Sequence, residues 1–130
     1  RKDKPIKITD PDMNRLIFTQ KDAANLIKRT ISFTRENGGG FVKSYKMKCV
    51  NMLDLAKFIS DDVKIVGKRP GEKTDEDLIS EKEVDRTYLY GDDIHIRMEE
   101  NKHDNKLTKP YNSKSAPKMT TLEMRDLVWG

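Results

Sequence analysis

One cysteine, Cys49, stands in 130 residues, so no internal disulfide can form and the chain reads as a protein of the reducing cytoplasm. Between Lys48 and Val50 in a strand-like run, Cys49 reads as a packed, unreactive thiol. Aromatics are 7% and hydrophobic residues 35%, against 37% charged, which leaves material for only a small core. No apolar run approaches the ~18 residues of a membrane-spanning helix. Arg1-Lys2-Asp3-Lys4-Pro5 has no apolar stretch behind it, so no secretion signal is expected there. The lead from Arg1 straight into a strand-like run reads as the later part of a longer chain. No paired cysteines exist, and His95 and His103 lack partners at ligand spacing, so no metal site is expected. Gly-x-Ser-x-Gly and Tyr-x-x-x-Lys are also missing, and with them nucleophilic or hydride chemistry.

The charge that is present is mixed. Lys and Arg number 26 and Asp and Glu 22, a net +4 with a pI near 9.1. Such a balance permits nucleic-acid binding, and Lys102 to Lys118 is rich in lysine. Those lysines are not interleaved with aromatics, as a single-strand platform requires, so a small basic nucleic-acid module is only the alternative reading. No nucleic-acid partner is expected.

Ile6-Lys7-Ile8-Thr9 alternates and stops at Asp10-Pro11-Asp12, the pattern of a strand entering a turn. Asn14 to Phe18 reads as a second extended piece. Thr19 with Asp22 opens a helix whose expected inner face is Ala23, Leu26, Ile27, Thr30, Ile31 and Thr34. Gly38-Gly39-Gly40 ends it. Phe41–Tyr45 is expected as a strand, Asn51 as the cap of a second helix, and Val63–Val66 as a buried strand. A short helix is expected over Asp75–Ser80, then strands over Thr87–Tyr90 and Ile94–Met98. His95, alternating with Ile94 and Ile96, is expected to face solvent or a hydrogen-bond partner. The polar stretch Glu99–Pro117 reads as a mobile loop, and Thr120 with Glu123 caps a last helix. The fold class is therefore α/β, short strands alternating with helices, with α+β as the alternative. The divisions are residues 1–98 as an α/β subdomain, 99–119 as a flexible polar loop and 120–130 as a C-terminal helix.

Three residues carry the candidate chemistry. Gly67-Lys68-Arg69-Pro70-Gly71-Glu72-Lys73 leaves a strand end, where ligands of open α/β sheets sit. Pro70 fixes one backbone angle and Gly71 frees the next, aiming Arg69, whose planar guanidinium grips two phosphate oxygens at once. Glu72 is placed to accept from ribose hydroxyls. Arg15, inside the apolar run Met13–Phe18, needs an anion or solvent, and with Arg69 would clamp a diphosphate. The competing reading of both arginines is a solvated turn and an edge-strand cation.

At these residues the chain resembles a known family. Ile8-Thr9-Asp10-Pro11-Asp12-Met13-Asn14-Arg15 is similar to the "ITDPxMTRF" segment of the polysaccharide-biosynthesis branch of extended short-chain dehydrogenases/reductases. Ile65–Lys73, with Glu76, Leu78, Ile79 and Ser80, resembles its "IGxRPGEKxHExLIS" segment. Gly39–Val42, Asp54-Leu55-Ala56, and Ser113-Lys114 with Thr121–Leu127 resemble the remaining stretches in order. Leu16, Asn14 and Thr74-Asp75 depart from the pattern.

The resemblance implies the C-terminal, substrate-binding half of an NAD(P)-binding Rossmann-like fold. It implies the UDP-binding portion of a UDP-N-acetylglucosamine 4,6-dehydratase, or alternatively a 4-epimerase, making surface polysaccharides or glycans. Arg15 and Arg69 match residues that contact the UDP diphosphate, and Glu72 the acidic residue near the ribose. NADP or NAD would bind mainly to an upstream half that also supplies the catalytic groups, so no catalytic residue is expected in this chain. The parent is expected to be cytoplasmic, homo-oligomeric and without a membrane segment. In it, hydride leaves sugar C4, water is lost across C5 and C6, and hydride returns at C6, or at C4 in an epimerase.

Overall fold

The computed structural model describes residues 4–99 and 105–130. In chain order the strands and helices are β1 (Ile6–Ile8), β2 (Asn14–Ile17), α1 (Gln20–Asn37), β3 (Phe41–Tyr45), β4 (Lys48–Asn51), α2 (Met52–Ile59), β5 (Val63–Ile65), β6 (Asp77–Ile79), a 3-10 helix (Glu81–Arg86), β7 (Thr87–Tyr90), β8 (Asp93–Arg97), β9 (Tyr111–Asn112) and α3 (Thr121–Trp129). This is the expected mixture of short strands and helices. The chain divides into two interleaved compact units.

The first unit comprises the described residues through Ile17 with Lys48–Glu76 and Asn112–Gly130. β1 and β5 pair in parallel, Ile6 opposite Val63 and Ile8 opposite Ile65. β2 and β4 pair antiparallel, with Arg15 opposite Val50 and Leu16 opposite Cys49. Asn51 caps α2 by accepting from the Asp54 N–H at 3.0 Å, and α2 packs on β1 and β4. α3 opens with a full capping box between Thr120 and Glu123, and Lys48 pairs with Glu123. The core gathers Ile8, Met13, Cys49, Val50, Ala56 and Ala116. β5 is not the buried strand expected: among the described residues it has only β1 as a neighbour, and Ile65 and Val66 are about half exposed.

The second unit runs from Phe18 to Met47 and over the described residues of 77–111. Its sheet has the order β3-β8-β7, antiparallel throughout, and α1 packs on β3. Thr19 and Asp22 form the capping box of α1, and Gly38 closes it at φ +80° with its N–H donated to Thr34 O. The inner face of α1 is narrower than expected. Leu26, Thr30 and Phe33 are half-buried, but Ile27 and Ile31 are more than half exposed.

Three other expectations change. No helix covers Asp75–Ser80; Asp77–Ile79 is a strand, and the turn of helix begins after it. Ser80 is the reason, because its hydroxyl and N–H both donate to the Glu83 carboxylate, which fixes the helix start there. The expected loop Glu99–Pro117 lies in part outside the described residues. Its far portion is anchored: Ser113 and Ala116 are buried, and the Cys49 N–H donates to Pro117 O at 2.9 Å. His95 faces neither solvent nor a polar partner. It is fully buried on the central strand, stacked on Phe41 at 4.7 Å, edge-on to Phe33 at 4.6 Å and tilted against Tyr90 at 4.3 Å. Neither ring nitrogen has a hydrogen-bond partner among the described residues.

Candidate functional site

The candidate site lies in the first unit, on the loop that leaves β5. Gly67 at φ +95° and Gly71 at φ +77° occupy the left-handed region, which an L side chain resists. Pro70 and Gly71 are the central pair of a turn closed by the Glu72 N–H donating to Arg69 O at 3.1 Å, the residue order a type II turn favours. A second strap runs the other way: the Arg69 N–H donates to Glu72 Oε2 at 3.1 Å. That bond first, then a hydrogen bond with Thr9 and the charges of Arg69 and Arg15, holds the Glu72 carboxyl below its ordinary range against the opposing effect of burial. Glu72 thus lies in the field of both arginines.

The far end of the loop is tied to the β1–β2 turn. Thr74 Oγ1 donates to Asp10 Oδ2 at 3.0 Å, and Lys68 Nζ donates to Thr74 Oγ1 at 2.8 Å while lying 3.6 Å from Asp10. The Asp75 carboxylate accepts from Asn14 Nδ2 at 3.1 Å and Ser113 Oγ at 2.8 Å, and the Glu76 N–H donates to Ser113 Oγ. Sequence reasoning missed these roles. Asn14, Thr74 and Asp75 stood out only as departures from the family pattern, yet they bond the turn to the loop and to Ser113.

Arg15 is held where β2 meets this loop. Its Nη1 donates to Asn14 O at 2.8 Å and Thr74 O at 3.1 Å, its Nη2 to Lys73 O at 2.9 Å, and Nε lies 3.7 Å from Glu76 Oε1. Carbonyl oxygens therefore take most of its five N–H groups. Arg69 differs. It is exposed, and among the described residues its guanidinium forms no hydrogen bond or ion pair. The arrangement is a planar cation, uncommitted among the described residues, on a braced loop, with the Glu72 carboxylate three residues on and in the field of both guanidinium groups. A planar cation of this kind can pair with two oxygens of one anion.

Other expected features fall elsewhere. Cys49 is 1% exposed, its thiol donates to Ala116 O at 3.2 Å, and burial pushes its pKa up, so it is a packing residue. Gly38–Gly40 follows a helix and precedes a strand, the reverse of a dinucleotide cradle, so these glycines do not form one. Among the described residues no group of three His, Cys, Asp or Glu could hold a metal ion.

Residues 1–98 match the model of the family described as polysaccharide biosynthesis protein. The chain belongs to that family. Among its relatives is an uncharacterized membrane protein of Methanocaldococcus jannaschii, 32% identical over a match covering 65% of this chain and 28% of that protein. Among solved structures, Pen from Bacillus thuringiensis superposes with a TM-score of 0.75 at 24% identity, over 95% of this chain and 39% of Pen. This family member therefore shares the fold of part of Pen and spans well under half of either relative. No helix of its described residues is long and apolar enough to cross a membrane.

Proposed function

We propose that this chain is the UDP-sugar-binding portion of an NAD(P)-dependent nucleotide-sugar 4,6-dehydratase of the UDP-N-acetylglucosamine type, acting in the cytoplasm as part of a homo-oligomer. The observation that carries the reading is the Arg69 guanidinium, unpaired among the described residues, on a loop fixed at both ends. Arg69 receives the diphosphate, Glu72 accepts from the ribose hydroxyls, and Arg15 adds its charge while holding the loop by the Lys73 and Thr74 carbonyls. A fixed loop does not have to be ordered on binding, so less affinity is lost to entropy. Family membership supports the polysaccharide setting. The half-exposed Ile65 and Val66 on a lone parallel strand pair support a larger parallel sheet in the parent, because such sheets are covered on both faces. Calorimetric titration with UDP tests it. Saturable binding is expected, weakened about 10–100-fold by Arg69→Ala through loss of charge-assisted hydrogen bonds. Unchanged affinity in that variant removes Arg69 from the site.

A further inference from the structure

The second unit has a hollow that uses none of the residues of the phosphate-directed loop. Its volume is ≈ 420 Å³, inside the range of small-molecule sites, and Asp22, Asn25 and Arg29 from α1, Tyr45 from β3, and Tyr90, Asp92 and Asp93 from the β7–β8 turn line it. The wall is rigid. Arg29 grips Asp93 with two parallel bonds, Nε to Oδ2 at 3.0 Å and Nη2 to Oδ1 at 2.8 Å, and buried Lys43 lies 3.3 Å from the same carboxylate.

Three ligand chemistries can be compared on this lining. An anion would meet the carboxylates of Asp22 and Asp92. A compact cation would meet Arg29, and the Asp93 charge it would need is already matched by Arg29 and Lys43. A ring bearing hydroxyls suits the wall best. Each hydroxyl both donates and accepts. The lining offers carboxylate acceptors, the two-way amide of Asn25, the Arg29 Nη1 that is uncommitted among the described residues, and the Tyr45 hydroxyl. Tyr45 and Tyr90 add aromatic rings to the lining, apolar surface of the kind the C–H side of a sugar packs against. Burial and the nearby Asp22 charge push the Tyr45 pKa up to about 12, so its hydroxyl keeps its proton and donates.

We propose that this hollow is a carbohydrate-binding site for a pyranose ring, separate from the loop that carries Arg69. The test is a titration of the protein with free N-acetylglucosamine, followed by amide chemical shifts. Saturable shifts confined to residues 22–29, 45 and 90–93 are expected, with a Kd of about 1–10 mM. Tyr45→Phe and Asp92→Asn, both conservative changes, should each weaken binding at least severalfold, while Arg69→Ala leaves it unchanged. No saturable shift, or equal affinity in both variants, overturns the proposal. Methylammonium saturating the same resonances instead assigns the hollow to cations and overturns it too. Loss of sugar binding in Arg69→Ala places the sugar at the loop and also overturns it. Failure of UDP binding alone leaves this site standing and removes only the nucleotide reading.

Discussion

His95 sets a measurable acid limit on the second unit. Burial first, then the positive charge of Lys43, with a smaller push from Arg97 and an opposing pull from Asp93, lowers its pKa from 6.5 to about 4. The native state therefore holds the imidazole neutral among Phe33, Phe41 and Tyr90, whereas the unfolded chain protonates it near its ordinary value. Between those two values the unfolded state binds more protons, so stability rises with pH there and is lost as pH falls through about 4. A depression of about 2.5 pH units corresponds to about 3 kcal/mol. Depressed carboxylates such as Asp93 and Glu83 also lose stability in acid, but at and below their ordinary values of 3.8 and 4.5. Urea midpoints at a series of pH values from 7.5 to 4, compared between the wild type and His95→Leu, isolate the imidazole. The wild type should lose about 3 kcal/mol more than the variant across that range. At neutral pH the variant should lie within about 1.5 kcal/mol of wild type, because two unsatisfied nitrogens are removed while an aromatic stack is lost. Parallel pH profiles for the two proteins would refute the reasoning.

Other outcomes follow from the ties described above. Arg15→Met should lower stability by about 1–3 kcal/mol in urea unfolding, since it releases three carbonyls from a charged donor. Gly71→Ala should cost about 1–2 kcal/mol by the same measurement, because the left-handed φ of +77° strains any Cβ although the surrounding space is open. Asp93→Asn should cost about 2–4 kcal/mol, leaving Lys43, whose side chain is 4% exposed, without its counter-charge.

The local chemistry of this chain was legible in its sequence, and its long-range pairings were not. Thr19 with Asp22, Asn51 with Asp54, and Thr120 with Glu123 lie three residues apart, so each helix start is a short-range event visible in the letters. The Pro70-Gly71 turn was readable for the same reason. Asp75–Ser80 misled because the capping pair Ser80 and Glu83 lies at the end of the expected helix and starts the next one. The exposure of β5 depends on which strands flank it, and that is not encoded within Val63–Val66. His95 alternates with Ile94 and Ile96 as a surface residue would. Its burial comes from Phe33, 62 positions away, and Phe41 closing over it. At the candidate site, Arg69 and Glu72 stand in a contiguous motif and are candidates on that ground. The carbonyls that hold Arg15 belong largely to residues 58 and 59 positions distant, and backbone acceptors leave no trace in side-chain composition.

The most direct measurement of the central claim is a crystal structure of the protein with UDP bound. Expected are a diphosphate within hydrogen-bond distance of the Arg69 guanidinium, ribose hydroxyls at Glu72, and the Arg15 bonds to the loop carbonyls intact. A nucleotide bound away from residues 67–76, with Arg69 still free, would contradict it.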